Sequence, residues 1–304
     1  MDLTNLTQVA AAQGCRITAD APMAAATTFR VGGPADLLID LPTADAATAV
    51  IACCKQENIP WLFIGNGSNL LVGDKGIRGA VLRLANDGAA PILYPDHRLY
   101  APGGMPLKRL CQFARDNGLT GLEFAYGIPG TVGGAVYMNG GAYGGCMGDV
   151  VVSADCLTAD GTPCTLTAAQ LAMSYRHTAL MEKELLVTGV TLQLAPGDKD
   201  TIAATMQDLM GRRRDKQPLE YPSAGSFFKR PEGYFAGALI EQAGLKGFSV
   251  GDAQVSEKHA GFVVNRGGAT AADIMELCRQ VQEKVYAQFG VRLEPEVRFV
   301  GEFA

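Results

Sequence analysis

Four glycines fall within the eight residues from Gly127 to Gly134, between two apolar runs. A backbone this rich in glycine can adopt positive φ and lets other atoms approach it closely. No Gly-Lys-Ser/Thr follows, so the segment is not the phosphate loop of a nucleoside triphosphatase. We expect it to open a short helix whose free N–H groups and positive dipole end face a pyrophosphate. Tight packing of the backbone against a neighbouring element is the alternative.

A second glycine-rich stretch, Gly65-Asn66-Gly67-Ser68-Asn69, directly follows a strand pattern. Successive N–H groups of such a turn can face a phosphate, and Ser68 and Asn69 add side-chain donors. It is not the Rossmann fingerprint, because the next residues, Leu70-Leu71-Val72, read as a strand where that motif begins a helix. A plain Asn-Gly turn is the alternative. Together the two stretches predict a dinucleotide held in an unusual cradle.

Length and charge exclude several classes of protein. A chain of 304 residues favours two or three domains. The net charge is −5, and the short basic run Arg212-Arg213-Arg214 with Lys216 is typical of a solvated helix face, so we expect no nucleic-acid partner. The N-terminus lacks the pattern of a signal peptide, and no apolar run is long enough to span a membrane. A cytoplasmic protein without a membrane partner is predicted.

Cysteine and histidine do not form a metal or redox motif in this sequence. None of the eight cysteines lies in a C-x-x-C pair, and the three histidines are scattered. Such thiols fit a reducing compartment. We therefore expect no metal site.

Hydrophobic periodicity predicts an α+β protein rather than a regular βαβ alternation. Helices are predicted at Thr43–Asn58, Pro106–Asn117, Thr201–Arg214, Tyr234–Ala243 and Ala271–Phe289. Strands are predicted at Leu37–Leu41, Trp61–Ile64, Val81–Leu84, Val150–Leu157 and Leu186–Leu194, with a further strand pattern around Glu296.

Several motifs, in this order along nearly the whole chain, resemble those of the UDP-N-acetylenolpyruvoylglucosamine reductase family. They are Arg30–Asp36, Gly65–Leu70, Gly127–Asn139, Ala142–Gly144, Tyr175-Arg176, Lys216–Pro218, Ser223–Lys229, Lys258–Phe262 and Leu293–Gly301. The resemblance implies an α+β fold with a two-subdomain FAD-binding domain of the vanillyl-alcohol-oxidase/PCMH type, followed by a smaller α+β substrate-binding domain. We expect the two subdomains at 1–80 and 81–196 and the substrate domain at 197–304.

The resemblance implies FAD as cofactor and NADPH as reductant. We expect the FAD to be bound non-covalently, because neither glycine-rich stretch has a cysteine or histidine at the usual flavin-linking position. The implied FAD contacts are Gly65, Asn66, Gly67, Ser68, Asn69, Leu70, Gly127, Ile128, Pro129, Gly130, Gly133 and Gly134.

The implied reaction is reduction of the enolpyruvyl group of a UDP-sugar, a step of peptidoglycan precursor synthesis. Ser226 matches the family's proton donor, Arg176 its fixed cation, and Glu296 the carboxyl group that polarises the reacting end. Without that context, Ser226 reads as a turn hydroxyl, Arg176 as a surface residue at a strand end, and Glu296 as half of a salt-bridged strand pair.

Four further residues, Tyr175, Lys216, Lys229 and Arg298, are candidates for binding the UDP-sugar. The chain between Arg176 and Leu186 is too short for the tyrosine-bearing loop of the family's longer class, so the chain resembles the shorter class. We expect a monomer that binds only small molecules. The competing hypothesis is an FAD-dependent oxidase or dehydrogenase of an alcohol or sugar lactone on the same cofactor fold.

Overall fold

The computed structural model describes residues 1–85 and 88–303. The helices in these ranges are α1 (Thr4–Ala12), α2 (Ala44–Gln56), α3 (Leu107–Asp116), α4 (Val132–Tyr137), α5 (Ala168–Leu171), α6 (Ala179–Glu182), α7 (Lys199–Lys216), α8 (Ala236–Gln242) and α9 (Ala271–Phe289). The strands are β1 (Arg16–Pro22), β2 (Pro34–Leu41), β3 (Trp61–Ile64), β4 (Leu70–Val72), β5 (Ile77–Leu84), β6 (Ile92–Leu93), β7 (Arg98–Pro102), β8 (Leu119–Thr120), β9 (Gly141–Ala142), β10 (Gly145–Cys146), β11 (Val151–Leu157), β12 (Pro163–Thr167), β13 (Leu186–Gln193), β14 (Ala195–Pro196), β15 (Ser223–Ser226), β16 (Ser249–Val250), β17 (Ala253–Val255), β18 (Phe262–Asn265) and β19 (Arg298–Val300).

Local signals place the two most regular helices. The Thr43 side chain accepts the N–H of Ala46 and so caps α2, as its position before the apolar stripe predicts. At the start of α9, Thr270 and Asp273 form a reciprocal capping box. Gly290 ends that helix in the left-handed conformation. The five predicted helices are confirmed, and so are the five strands predicted in the first two hundred residues; their ends match the prediction or differ from it by at most four residues.

The chain forms two compact units, each assembled from separate stretches of sequence. The first unit contains Met1–Ala19, Leu37–Asn66 and Gly79–Arg212. It carries an antiparallel five-stranded sheet in the order β12-β11-β13-β7-β6 and the greater part of a second sheet in the order β1-β2-β5-β3. One core lies between the five-stranded sheet and helices α3 and α4, and another surrounds α2.

The second unit contains Asp20–Asp36, Gly67–Arg78 and the chain from Arg213 onward. Its antiparallel sheet has the order β15-β18-β17-β16, and α8 and α9 pack on it around one hydrophobic core. Strand β19 runs parallel to β4, which joins the end of the chain to the segment after the first glycine-rich stretch. In the described part of the chain we find no helix of sufficient length and apolarity to cross a bilayer.

The strand predicted around Glu296 is wrong, because regular pairing begins only at Arg298. Pro295, which has no N–H to donate to a ladder, makes an isolated bridge with Phe228 instead. Of the apolar residues in this pattern, Leu293 and Val297 are buried while Phe299 is 40% exposed. The apolar alternation therefore predicted a strand in a segment whose conformation depends on the bridge between Pro295 and the distant Phe228.

Candidate active site

The second glycine loop, residues 127–134, belongs to the first unit and does open a short helix, α4. The N–H groups at the start of that helix are already bonded, however. Val132 donates to the carbonyl of Met105 at 2.8 Å and Gly133 to that of Gly103 at 2.8 Å. Gly134 donates to the side chain of Thr131, the N-cap. The prediction of free N–H groups at this helix start is therefore wrong.

Close packing explains at least one glycine of this loop. A Cβ on Gly133 would lie 3.1 Å from the carbonyl oxygens of both Gly103 and Val187. Backbone atoms cannot retreat as the end of a flexible side chain can, so only glycine fits without a local shift. The packing alternative holds at Gly133.

The first glycine loop, residues 65–69, begins in the first unit against the second loop. The side-chain amide of Asn66 donates to the carbonyl of Pro129 at 2.9 Å. A Cβ on Gly65 would lie 2.6 Å from the hydroxyl of Thr131. The structure therefore brings together two predicted cofactor segments that lie some sixty residues apart in sequence.

Donors remain available in the first loop. Among the hydrogen bonds of residues 1–85 and 88–303, none has the backbone N–H of Asn66, Gly67 or Ser68 as its donor. Gly67 has φ of +60°, and a Cβ there would collide with the carbonyl oxygen of Ala26. This is the geometry of a turn that only glycine adopts without strain and that presents successive N–H groups.

A buried hydroxyl next to Gly67 also lacks a protein partner. Within the described residues, Thr27 Oγ1 is buried and makes no hydrogen bond. Burying a hydroxyl without a partner costs about 1–3 kcal/mol, so such groups in native proteins call for an explanation. Together with the available N–H groups and the Ser68 hydroxyl, Thr27 forms a donor set that fits a diphosphate such as that of FAD.

Arg176 occupies a strained tight turn in the first unit. Ser174 and His177 exchange two backbone hydrogen bonds of 3.0 and 3.2 Å, which leaves Tyr175 and Arg176 at the tip. Arg176 has φ of +54°, a conformation that favours glycine and costs other residues about 1–3 kcal/mol. Strain of this kind in a polar residue is typical of functional sites. The guanidinium donates to the carbonyl of Gly141 at 3.3 Å and lies over the Tyr175 ring.

Two side chains that the sequence did not single out as site residues hold this turn. Asn139, itself buried with φ of +41°, donates to the carbonyl of Ser174 at 2.9 Å and accepts the N–H of Gly148 at 2.8 Å. The buried hydroxyl of Thr178 donates to the carbonyl of Tyr137 at 2.8 Å. The sequence pointed to these residues only indirectly, because Tyr137 and Asn139 are among the last residues of the motif Gly127–Asn139, on which the family resemblance partly rests.

Ser226 lies at the end of β15, directly after a β-bulge in the second unit. Ser223 faces Val264 and Ser226 faces Phe262, so three residues on β15 span the distance of two on β18. Gly225 accommodates the extra residue with φ of +81°. Bulges re-aim side chains at the ends of strands. Here Ser226 is exposed while Phe227 and Phe228, which follow it, are buried.

The peptide that follows Ser226 is held from both sides. Phe227 donates its N–H to the carbonyl of Gly261 and accepts the N–H of Glu296, both at 2.8 Å. The structure therefore brings Glu296 beside the Ser226 segment, although the two are seventy residues apart. Glu296 is half-buried at this position.

The end of the first glycine loop is attached to the same place within the second unit. The Asn69 side-chain amide donates to the carbonyl of Glu296 at 3.1 Å. Arg298 donates its backbone N–H to the carbonyl of Asn69 at 3.0 Å, and Leu70 pairs with Arg298 in the parallel ladder. A predicted cofactor segment and a predicted catalytic segment thus share direct hydrogen bonds.

The other predicted substrate contacts are cations and a ring at the protein surface. Lys229 pairs with Glu294 at 3.4 Å, an exposed pair worth about 0–1 kcal/mol. Lys216 is the exposed last residue of α7, and Tyr175 is 56% exposed. Of the predicted catalytic residues, Arg176 belongs to the first unit, and Ser226 and Glu296 to the second.

Four of the cysteines are buried thiols with a raised pKa. Burial raises the pKa of Cys54, Cys111, Cys156 and Cys278 to about 12, so these thiols stay protonated at neutral pH. Among residues 1–85 and 88–303 there is no group of three or more histidine, cysteine or acidic side chains that could hold a metal ion.

Comparison with known protein families gives one match that lies mostly in the first half of the chain and a second match near its end. Residues 35–167 match the FAD binding domain family, and residues 217–300 match the C-terminal domain of UDP-N-acetylenolpyruvoylglucosamine reductase. The reductase of that name from Agathobacter rectalis is 52% identical over 296 residues, covering 93% of this chain and 94% of its own. The reductase from Clostridium botulinum is 51% identical over 283 residues, covering 93% and 92%.

Solved structures agree with these matches. The crystal structure of the reductase from Thermus caldophilus superposes with a TM-score of 0.80 at 36% identity, covering 94% of this chain and 98% of its own. A berberine bridge enzyme variant matches 64% of this chain and 44% of its own at 14% identity and a TM-score of 0.51, which reflects the fold alone. The predicted α+β fold with a cofactor domain of the oxidase type is confirmed. The chain belongs to the UDP-N-acetylenolpyruvoylglucosamine reductase family.

Proposed function

We propose that this protein binds FAD without a covalent bond and uses NADPH to reduce the enolpyruvyl group of UDP-N-acetylglucosamine enolpyruvate. The product is UDP-N-acetylmuramate, a precursor of peptidoglycan. The observation that carries the proposal is the set of hydrogen bonds that joins Asn69 of the first glycine loop, Glu296 and the peptide after Ser226. Identity of 52% to a reductase of this name over nearly the full chain supports it.

The first glycine loop is the proposed diphosphate cradle. The N–H groups of Gly67 and Ser68 and the hydroxyl of Thr27 are its donors. The second loop lies beside it, since Asn66 is fixed on Pro129 and the N–H groups at the start of α4 are used internally. Its residues Gly127, Ile128, Pro129, Gly130, Gly133 and Gly134 are proposed FAD contacts, the last two through atoms other than their N–H groups. When bound, FAD supplies hydride transfer from NADPH to the substrate. The protein supplies position, charge and a proton.

Ser226 is the proposed donor of the proton to the substrate carbon. A serine hydroxyl is a weak acid, but a carbanion is a far stronger base, so the transfer runs downhill once hydride has arrived. The bulge at Gly225 exposes the hydroxyl, while the buried rings of Phe227 and Phe228 place apolar surface beside it.

Arg176 and Glu296 are proposed to stabilise the negative charge that develops on the substrate. The guanidinium stays charged at any relevant pH and can bind a carboxylate through two parallel hydrogen bonds. Its strained turn, held by Asn139, preorganises that group, and preorganised charge is the largest single contribution in many enzymes.

Tyr175, Lys216, Lys229 and Arg298 are proposed contacts of the UDP-sugar. The exposed pair between Lys229 and Glu294 can be exchanged for a phosphate at little cost. We further propose three domains (1–80, 81–196 and 197–304), a monomeric state, a cytoplasmic location and only small-molecule partners, with no nucleic acid and no membrane.

The substitution Ser226→Ala tests the function, with Ser223→Ala in the same strand as the matched control. Flavin reduction by NADPH should be unchanged in both variants. Reoxidation by the enolpyruvyl substrate under argon should slow by about 100- to 10,000-fold in Ser226→Ala only, because acid catalysis contributes that much.

Equal loss in both half-reactions would make Ser226 structural. Flavin reduction by an alcohol or sugar lactone, with no response to the enolpyruvyl substrate, would establish the competing oxidase function. Purified protein that is colourless and takes up no FAD would rule out both.

A further inference from the structure

The segment Lys258–Phe262 carried part of the family resemblance, but the proposed mechanism assigns it no role. It is a tight turn between β17 and β18 in the second unit. The buried Ser256 hydroxyl accepts the N–H groups of Lys258 at 3.2 Å and His259 at 3.3 Å. These bonds fix the backbone of the turn and the direction in which the His259 ring leaves it.

His259 uses one ring nitrogen inside the turn. Its Nδ1 accepts the N–H of Gly261 at 3.1 Å. The ring packs edge-on against Phe262, with centroids 5.1 Å apart, and a Cβ on Gly237 of α8 would lie 3.3 Å from its Cε1. The imidazole is therefore held by packing in the orientation that presents Nδ1 to Gly261.

The bonded glycine leads directly to the proposed proton donor. The carbonyl of Gly261 accepts the N–H of Phe227 at 2.8 Å, and Ser226 lies opposite Phe262 in the ladder. The Phe227 carbonyl in turn accepts the N–H of Glu296. His259 is thus three hydrogen bonds from the Glu296 backbone, and the middle bond holds the peptide that follows Ser226.

The charge state of the imidazole decides whether the first of these three bonds exists, because a protonated Nδ1 cannot accept the N–H of Gly261. Burial lowers the pKa of His259 from its ordinary value and favours the neutral form. Glu241 and Lys246, the charged groups that act on it, pair with each other at 2.9 Å. At neutral pH Nδ1 is consequently available to Gly261.

We propose that His259 is a positioning residue for Ser226, acting through Gly261 and Phe227. The inference rests on the proposed function, in which Ser226 donates the proton. It assigns His259 no contact with substrate or cofactor. What His259 supplies is the fixed register of the strand end from which the Ser226 hydroxyl projects.

Two substitutions distinguish the role of Nδ1 as a hydrogen-bond acceptor from the packing of the His259 ring against Phe262. His259→Phe keeps a ring against Phe262 but removes the acceptor, whereas His259→Asn places an amide oxygen where Nδ1 stood. We expect His259→Phe to slow reoxidation of the reduced enzyme by the enolpyruvyl substrate by about 10- to 100-fold, since small misplacements of reacting groups have effects of this size. Flavin reduction by NADPH should change less than twofold, and His259→Asn should recover the rate to within about threefold of the native protein.

Amide hydrogen exchange of the protein without substrate gives a second readout. The amides of Gly261 and Phe227 should exchange at least about tenfold faster in His259→Phe and near the native rate in His259→Asn. The amide of Leu277 in α9 is the control for global unfolding and should not change. If His259→Phe does not fold, the native enzyme is compared with His259→Asn instead. The reoxidation rate of the native enzyme should fall as the pH drops below about 6.5 towards the lowered pKa of His259. The reoxidation rate of His259→Asn should not fall over this pH range.

The outcomes distinguish the two ideas. Ser226→Ala without effect on reoxidation overturns both the proposed donor and the positioning role. A slow Ser226→Ala variant beside a His259→Phe variant with native reoxidation and native amide exchange overturns the positioning role alone. Equal losses in both half-reactions of His259→Phe, or no recovery in folded His259→Asn, also overturn it.

Discussion

The two glycine loops look alike in sequence and differ in what their backbones do. In the second loop, the N–H groups at the start of α4 bond to Met105, Gly103 and Thr131. In the first loop, no described hydrogen bond uses the N–H of Gly67 or Ser68 as its donor. The helix start in the second loop therefore has its donors bonded within the protein, whereas two successive donors of the first loop are available.

The difference shows that glycine content does not identify a phosphate cradle. Glycine permits close approach, and the approaching group can be another stretch of the same chain or a ligand. An accounting of each backbone N–H separates the two cases, because buried donors in native proteins are almost always bonded. Substitutions in the two loops should therefore have opposite signatures: in the first, cofactor affinity should change most, and in the second, stability.

The largest effect is expected for Gly67→Ala in the first loop. The positive φ disfavours alanine, and its Cβ would collide with the Ala26 carbonyl, so the turn must change shape. We expect at least about 100-fold weaker FAD binding, because hydrogen bonds to charged groups contribute about 1.5–3 kcal/mol each and the proposed donors Gly67 and Ser68 are both displaced. Fluorescence titration of the protein without cofactor measures this affinity. Gly14→Ala, at φ of +71° with no atom within 4 Å of the added Cβ, is the control for positive φ alone and should bind FAD normally. Native affinity in Gly67→Ala would remove the first loop from the cradle.

Gly133→Ala in the second loop should lower stability while leaving FAD affinity of the folded protein within about threefold. The added Cβ meets two carbonyl oxygens at 3.1 Å, and overpacking of this kind costs about 1–3 kcal/mol. Urea unfolding measures the loss. Gly211→Ala within α7, which has open space around the Cβ, should instead stabilise by about 0.5–1 kcal/mol. A large loss of FAD affinity in folded Gly133→Ala would make the two loops equivalent.

Thr131→Val removes the side-chain cap of α4 and keeps the shape of the side chain. We expect a loss of about 1 kcal/mol in the free energy of unfolding, as for other N-caps, without a change in FAD affinity. Thr43→Val at the start of α2 removes the same kind of cap far from either loop and should give a similar loss. A much larger effect at Thr131 would show that the position of its hydroxyl beside the backbone of Gly65 matters as well.

The smallest effect is expected for Thr27→Val, beside the first loop. Because the Thr27 hydroxyl has no partner within the described protein, its removal should not lower the stability of the protein without cofactor. FAD affinity should fall about fivefold, the size of one lost hydrogen bond. A drop in stability with unchanged affinity would mean that the hydroxyl serves the fold and not the cofactor.

The sequence predicted elements whose signals are local. Helix α9 has an apolar stripe, a capping box at Thr270 and a terminal glycine at 290, and the structure gives it the predicted bounds. It could not predict the left-handed turn at Arg176, because that conformation is imposed by Asn139 and Thr178 against the residue's own preference. Nor could alternation around Glu296 predict that Pro295 would bridge to Phe228.

By itself, the sequence determined the family and the cofactor domain and supplied the candidates for the reactive side chains, because motif residues and helix signals are read over a few positions. Only the tertiary structure decided which glycine loop keeps its donors available and what surrounds Ser226. Those answers depend on hydrogen bonds such as that between Asn69 and Glu296, which are 227 residues apart. No local pattern records such a bond, since either partner could be satisfied by water or by many other groups until folding places the two together.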